Sequence, residues 1–217
     1  SNTKSELLNL PKPKISIGIP VYNGDSYLNS AIDSVLNQNF KDFELIISDN
    51  ASTDKTDEIC EKYKAKDKRI RYFKQKFNLG GVNNFKFVLD KSIGKYFMWL
   101  AADDIFGNKD FLKILNDELS EKYNYYFPEV SIIGANGEIE RSNAMTSFKH
   151  CKTQLDFFEV SLKENAMHLY SLFLRENLIK DWKYLELCKK FPSCGEGLFV
   201  HAINATRRGK FVPKAIK

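Results

Sequence analysis

Long hydrophobic segments are missing from this 217-residue chain. A helix that crosses a bilayer needs about 18 or more apolar residues, and the longest unbroken apolar run, Tyr96 to Ala102, is far shorter. No signal-peptide pattern is found at the start, and residues 1–13, polar with two prolines, are expected to form a leader. We therefore expect a cytoplasmic protein, with peripheral contact with the cytoplasmic membrane face as the alternative.

Cysteine and histidine are too few and too scattered for a metal or redox motif. The four cysteines include no C-x-x-C pair, and the three histidines stand alone, which excludes the zinc-ribbon and thioredoxin-like classes. Scattered cysteines among many lysines are typical of a reducing cytoplasm. The glycine-rich G-x-G-x-x-G sequence of dinucleotide-binding enzymes is also absent after the first predicted strand.

Charge and composition describe an ordinary globular protein. The chain has 33 basic and 28 acidic residues, a net charge of +5, and is 43% hydrophobic, which suits one domain with a sizeable core. The basic residues are spread along the sequence without a nucleic-acid-binding motif, so no nucleic acid partner is expected.

The first half alternates between strand-like and helix-like patterns. Apolar alternation and spacing predict strands at 15–19, 43–48, 70–74 and 95–100, and helices over 25–38, from the mid-fifties to about 66, and after the turn at 80–81. The last of these strands is apolar throughout, as expected for a central strand buried on both faces. This alternation indicates an α/β fold with a mostly parallel sheet flanked by helices.

The second half is less regular. Its apolar spacing predicts helices over 109–120, 156–176, 180–190 and 196–208, one or two strands over 123–133 broken at Pro128, a turn over 134–138, and a last strand over 210–213.

Polar loops follow three strands of the first half. Residues 20–23 read Pro-Val-Tyr-Asn, residues 48–54 read Ser-Asp-Asn-Ala-Ser-Thr-Asp, and residues 102–104 read Ala-Asp-Asp. In open parallel sheets, ligands bind outside the carboxyl ends of the strands. The sequence therefore predicts one binding site built from these three loops.

These three motifs, in this order, resemble family 2 of the inverting glycosyltransferases, which have the GT-A fold and typically read P-x-Y-N, then D-D-G-S-x-D, then a D-x-D variant. The resemblance is strong over residues 14–110 and weak over 165–213. It implies a Rossmann-like sheet with a smaller acceptor-side lobe, in a single catalytic domain over 14–217. Residues 14–105 would bind the nucleotide-sugar and residues 106–217 the acceptor.

Adjacent carboxylates follow the fourth strand, where a hard divalent cation could bind together with phosphate oxygens. The resemblance implies that Asp104 is a ligand of Mn²⁺ or Mg²⁺ and that Asp103 contacts the ribose or the sugar. The family often has a further acid where this chain has Ala101 or Ala102. By themselves the two aspartates also suit a solvated turn or a helix start.

The nucleotide-binding residues implied by the resemblance lie in the first two loops and before the third helix; they are Pro20, Val21, Tyr22, Asn23, Asp49, Asn50, Asn78 and Asn83. Tyr22 could lie against the base and Asp49 could accept hydrogen bonds from base or ribose. The alternatives are an edge tyrosine, an Asx turn organised by Asp49, and turn chemistry alone for Asn78 and Asn83. Asp54 is interpreted as a structural helix cap.

The acceptor side and the catalytic base are expected in the second half. Glu196, ahead of a predicted helix that leads to Arg207-Arg208-Gly209, resembles the family's general base, although Gly197 stands where an Asp is usual. Glu196 could alternatively only cap its helix. His168 and Arg175 lie in a segment that resembles the acceptor side, where they would meet a phosphate or a sugar.

The resemblance implies transfer of a sugar, from a UDP-sugar first of all, to a glycan or lipid-linked glycan with inversion. Such enzymes build bacterial capsule, lipooligosaccharide or O-antigen. Two alternatives remain open. One is a catalytically degenerate nucleotide-binding module, favoured by Asn50, Ala101 and Gly197. The other is a sugar nucleotidyltransferase, although residues 20–23 lack its basic glycine-rich loop.

Overall fold

The computed structural model describes residues 12–134, 138–143, 150–151, 153, 155–156, 159–160, 167–188, 203 and 206–216. Its strands are β1 (Ile15–Val21), β2 (Phe43–Asp49), β3 (Ile70–Lys74), β4 (Tyr96–Trp99), β5 (Tyr125–Ile133), β6 (Ile139–Asn143), β7 (Leu172–Leu174) and β8 (Gly209–Ile216). Its α-helices are α1 (Leu28–Leu36), α2 (Thr56–Lys66), α3 (Gly81–Lys91), α4 (Phe111–Asp117) and α5 (Arg175–Cys188), and a 3-10 helix covers Met167–Tyr170.

Within these residues the strands form one sheet in the order β3-β2-β1-β4-β7-β5-β6, and β8 also pairs with β5. Strands β1 to β4 are mutually parallel where they pair. Strand β7 is antiparallel to both of its neighbours, and β8 is parallel to β5. The α/β fold with a mostly parallel sheet is therefore confirmed, and the sheet continues across the predicted boundary at residue 105.

Side chains alternate between the two faces of the sheet and build a separate core on each. On one face Ile17 and Ile19 pack with the apolar stripe of α1 and with α4. On the other face Phe97 and Trp99 of β4 pack with α3 and α5. Gly18 lets α3 approach closely, because a Cβ at this position would stand 2.7 Å from Cγ2 of Val88. The buried β4 confirms a central strand covered on both faces.

Three predictions for the second half are wrong. The helix expected over 156–176 is replaced at its end by the 3-10 helix and by β7. The helix expected over 180–190 corresponds to α5, which begins earlier, at Arg175. The short apolar run Leu172–Leu174 fills the space between β4 and β5 as a strand, because tertiary pairing decides the structure of so short a segment. Strand β5 passes through Pro128 unbroken, with an irregular register to β8 at this point.

Strands β1, β2 and β4 end at the same edge of the sheet, which we call the carboxyl edge, and begin at the opposite amino edge. The loops predicted to form the site all leave the carboxyl edge. Among the described residues no helix is long and apolar enough to cross a membrane.

Candidate active site

A cleft of about 380 Å³ opens at the carboxyl edge between the ends of β1 and β4. The whole 20–23 motif and Asp103 line this cleft together, as predicted, whereas no residue of the 48–54 loop is among its lining residues. The complete lining is Pro20, Val21, Tyr22, Asn23, Gly24, Tyr27, Phe85, Ala101, Ala102 and Asp103. This is the size of space that a small-molecule ligand occupies.

Hydrogen bonds between side chains and backbone fasten the loop after β1 to the loop after β2. The backbone N–H of Asn23 donates to Ser52 Oγ (2.8 Å), and Asn23 Oδ1 accepts from the N–H of Thr53 (2.9 Å). Asn23 and Ala51 both have positive φ, 52° and 62°. Such backbone is unfavourable for residues other than glycine and persists where surrounding contacts hold it. The two motifs therefore form one rigid unit.

Asp54 connects the loop after β1 to the start of α2. Its Oδ2 accepts from the N–H of Asp25 (3.0 Å) and its Oδ1 from the N–H of Thr56 (3.0 Å). Burial raises the pKa of Asp54, but these hydrogen bonds outweigh it and hold the pKa below its usual value. The structural role expected for Asp54 is confirmed, although Lys55 rather than Asp54 occupies the cap position.

Asp49 is fully buried beneath this unit. Its Oδ1 accepts from the N–H of Ser52 (2.8 Å), and its Oδ2 lies 3.2 Å from the hydroxyl of Tyr72, which also lies 2.7 Å from Asp57 Oδ1. The structure thus gives Asp49 the loop-organising role that the sequence left as an alternative. Contact between Asp49 and a base stays a prediction.

Three amides organise the turn before α3. Asn50 is buried; its Nδ2 donates to Asn78 Oδ1 (2.9 Å) and its Oδ1 accepts from the N–H of Leu79 (2.7 Å). Asn83 is exposed and donates from Nδ2 to the carbonyl of Leu79 (2.8 Å). All three predicted amides therefore take part in turn contacts, and none lines the 380 Å³ cleft.

Aromatic side chains surround the cleft, and the sequence singled out only one of them. Tyr22 and Tyr27 are 52% and 62% exposed, and Phe85 of α3 completes the set. Flat, exposed aromatic faces beside a cleft suit stacking on a nucleobase. Tyr27 could have been found from its position at the start of α1 outside the apolar stripe, whereas Phe85 depends on how α3 docks.

The two carboxylates after β4 differ in exposure. Asp103 is exposed and lines the cleft, while Asp104 is half-buried and its N–H donates to the carbonyl of Ala101 (3.1 Å). Among the described residues no three His, Cys, Asp or Glu side chains are grouped to hold a metal. Two carboxylates fit a hard cation that takes its remaining oxygens from substrate phosphates and water.

The predicted acceptor-side residues are not brought together. His168 lies in the 3-10 helix that precedes β7, toward the end of β4. Arg175 lies at the opposite, amino edge, where its N–H donates to the carbonyl of Lys95 (3.1 Å). Glu196 lies outside the described residues.

Comparison with solved structures supports the fold. The structure of Staphylococcus aureus TarS 1–349 in complex with UDP aligns with a TM-score of 0.70 and 23% identity, over 94% of this chain and 59% of that chain. The Pyrobaculum calidifontis mannosyltransferase PcManGT, in complex with GDP-Man and Mn²⁺, aligns with a TM-score of 0.61 and 16% identity, over 98% and 61%. At these identities the likeness shows the fold alone.

Sequence comparison shows the family. A Methanocaldococcus jannaschii protein described as an uncharacterised glycosyltransferase is 32% identical over 82% of this chain and 61% of its own length. A Haemophilus influenzae protein with the same description is 42% identical over 48% of this chain and 42% of its own length. The chain spans about half the length of these relatives. The model for glycosyl transferase family 2 matches residues 16–182, well over half of the sequence, and the chain belongs to that family.

Proposed function

We propose that this chain transfers a sugar from a nucleoside-diphosphate sugar, a UDP-sugar first of all, to an acceptor hydroxyl with inversion. The observation that carries the proposal is the cleft of about 380 Å³ at the carboxyl edge, which the 20–23 motif and Asp103 line together. Two structural neighbours support the choice of donor, since TarS structures contain UDP and UDP-GlcNAc. Their identity to this chain is low, so they suggest the ligand class only.

The donor would bind with its base among the cleft aromatics. Tyr22 and Tyr27 are exposed and Phe85 lies on α3. A nucleobase that stacks on these aromatic rings is held without needing many hydrogen bonds. The rigid loop unit anchored by Asp49 would fix the wall on which the base rests.

The diphosphate would lie toward Asp103 and Asp104. Asp104, with Asp103 beside it, would hold Mn²⁺ or Mg²⁺ together with the phosphate oxygens. When bound, the cation neutralises charge on the departing diphosphate. Manganese in the PcManGT complex supports this choice of cofactor class.

Inversion requires one displacement at the anomeric carbon. The acceptor oxygen forms the new bond while the bond to the diphosphate breaks, and the electron pair of that bond leaves with the nucleoside diphosphate. A carboxylate takes the hydroxyl proton, and we propose Glu196 for this role. His168, on the side of the sheet where β4 ends, is the better placed of the two acceptor-side candidates.

The same proposal includes the acceptor molecule and the cellular location of the enzyme. A glycan or lipid-linked glycan of the bacterial surface, as in capsule, lipooligosaccharide or O-antigen, would supply the hydroxyl. A cytoplasmic location, with peripheral contact with the inner membrane surface, would place the enzyme beside both substrates.

The first experiment is a thermal-shift panel with UDP, GDP, CMP and dTDP, each with Mn²⁺ and with EDTA. A ligand that binds only the folded state raises the midpoint by mass action. We expect one nucleotide, UDP first, to raise the midpoint only with Mn²⁺, and Asp104→Asn to lose this dependence. Asp90→Asn, which removes an exposed carboxylate on α3, is the matched control and should respond like the parent.

Other outcomes separate the alternatives. A metal-independent shift, with no transfer from any nucleotide-sugar, would favour a degenerate binding module. Release of pyrophosphate from a nucleoside triphosphate and a sugar phosphate would favour a nucleotidyltransferase. The absence of any shift with all four nucleotides would contradict the proposal.

A further inference from the structure

A second, larger cleft lies at the amino edge of the sheet, opposite the candidate active site. Its volume is about 610 Å³, and its walls come from the segment before β1, the turn before β4 and the start of α5. The proposed transfer reaction uses none of these segments. We call it the amino-edge cleft.

Cationic side chains dominate this cleft. Lys12, Lys14, Lys95 and Arg175 line it, against Asp42 and Glu176. Of the two acids, Glu176 is already bonded to Lys180. None of the four cations forms an ion pair with another described residue, whereas several lysines on helices and strands elsewhere do.

Arg175 is the most firmly held of the four. Its Nε donates to Ser92 Oγ (2.7 Å), and Ser92 is buried and donates in turn to the carbonyl of Leu89. Burial lowers the pKa of Arg175, while the carboxylates of Glu44 and Asp90 act in the opposite direction from farther away.

The carboxylates of Glu44 and Asp90 form ion pairs with other cations. Glu44 is bonded to Arg71 (2.8 Å) and Asp90 to Lys86 (2.6 Å). Within the described part of the chain, the side chain of Arg175 donates only from Nε, and its terminal nitrogens bond no protein acceptor. With Nε held by Ser92, the terminal nitrogens of Arg175 remain available to hydrogen-bond an anion in the cleft.

We propose that the amino-edge cleft binds a phosphate-bearing anion, with Arg175 as its fixed recognition group and the three lysines as surrounding charges. A guanidinium presents paired N–H donors that match the oxygens of a phosphate, while flexible lysines supply charge with less demand on geometry. The anion can be a free phosphate compound or the headgroup of an anionic lipid. Ile93, 47% exposed at the rim, offers an apolar surface in either case.

The test compares two double variants that lose the same charge. Lys12→Gln/Lys95→Gln removes two cations of the cleft, while Lys62→Gln/Lys68→Gln removes two exposed lysines in and after α2. Binding of inorganic pyrophosphate is measured by calorimetry in EDTA, and co-sedimentation is measured with vesicles of phosphatidylglycerol and phosphatidylcholine. We expect the cleft variant to bind at least about tenfold more weakly and the control to match the parent.

The two assays distinguish the source of the phosphate. Cleft-dependent binding of pyrophosphate supports a free anion, and cleft-dependent binding only to anionic vesicles supports a lipid headgroup. A third variant, Arg175→Lys, keeps the charge and loses the paired donors, so weaker binding of the anion at unchanged stability supports the role given to Arg175. Equal binding by the cleft and control variants in both assays would overturn the proposal, whether or not the carboxyl-edge cleft binds a nucleotide.

Discussion

Tyr72 stands between two carboxylates with a single hydroxyl proton to donate. The hydroxyl oxygen lies 2.7 Å from Asp57 and 3.2 Å from Asp49, and Lys74 bonds the other oxygen of Asp57 at 2.6 Å. Burial, together with the bond to Asp57, raises the pKa of Tyr72 well above its usual value. The pKa of Asp57 is held below its usual value by Lys74 and Tyr72. Because its pKa is raised, Tyr72 keeps its hydroxyl proton, and the buried Asp49 carboxylate therefore lies beside a neutral group.

Tyr72→Phe should lower the free energy of unfolding by about 1–2 kcal/mol, because the buried Asp49 carboxylate loses a polar neighbour. The same change should weaken nucleotide binding at the carboxyl-edge cleft, since Asp49 holds Ser52, which in turn holds Asn23. Urea denaturation measures the first effect and the UDP thermal shift measures the second.

Tyr63→Phe is the matched control. The hydroxyl of Tyr63 donates to the exposed Asp33 of α1 (2.8 Å) and bonds no residue of the site loops. Its removal should cost less stability and leave nucleotide binding unchanged. If both variants weaken nucleotide binding equally, the role assigned to Tyr72 is wrong.

The residue scale also shows how far the site could be predicted. The motif at 20–23 and Asp103 were predicted to meet, and they line one cleft. The bonds that tie Asn23 to Ser52 and Asn50 to Asn78 were not predicted, because they join residues about 30 positions apart. The sequence pattern indicates which loops lie at the same edge of the sheet. Which residues of those loops hydrogen-bond to each other depends on the folded backbone and is not visible in the sequence.

At the scale of elements, two adjacent glycines begin α3 and have different conformations. Gly80 has φ of 80°, while Gly81 is the first helical residue, and no atom lies within 4 Å of a Cβ built on either. Gly80→Ala should therefore destabilise the protein by about 1 kcal/mol through backbone strain alone. Gly81→Ala should be neutral or stabilising by about 0.5 kcal/mol, because alanine restricts the unfolded chain.

Chemical denaturation of the two variants side by side checks this contrast. The space around each position is open, so steric overlap does not complicate the comparison. Equal destabilisation by the two substitutions would show that the φ of Gly80 does not control the start of α3.

Elements with a clear period were predicted well, and short apolar runs were not. The four strands and three helices of the first half lie where alternation and spacing placed them, within a few residues. Leu172–Leu174 is apolar throughout and has no period, so nothing local separates a strand from a helix. Strand β6 was not predicted at all, because its sequence IERSN is largely polar.

At the scale of the whole molecule, one ion pair joins α5 to the segment that leads into β8. Asp181 is buried, and its two oxygens accept from Nε and Nη2 of Arg207 at 2.8 and 2.9 Å. Hydrogen bonding with Asp181 raises the pKa of Arg207. The pair therefore connects α5, which follows β7, to the segment that leads into β8, and both of these strands pair with β5.

Asp181→Ala should lower the free energy of unfolding by about 2–3 kcal/mol, because Arg207 would remain partly buried without its partner. Thermal and urea denaturation measure the loss. Glu176→Gln, which breaks the exposed pair with Lys180 on the same helix, should leave the midpoint where the parent has it. Similar losses from both variants would mean that α5 itself, rather than its connection to β8, limits stability.

Strand β7 has only three residues, yet it is hydrogen-bonded to β4 on one side and β5 on the other. Without it, both of those strands would present unpaired N–H and C=O groups along a free edge. Free edges of apolar strands pair readily with other chains, and Phe97 and Tyr126 are fully buried members of these two. The shortest of the described strands therefore keeps two apolar strand edges from pairing with other chains.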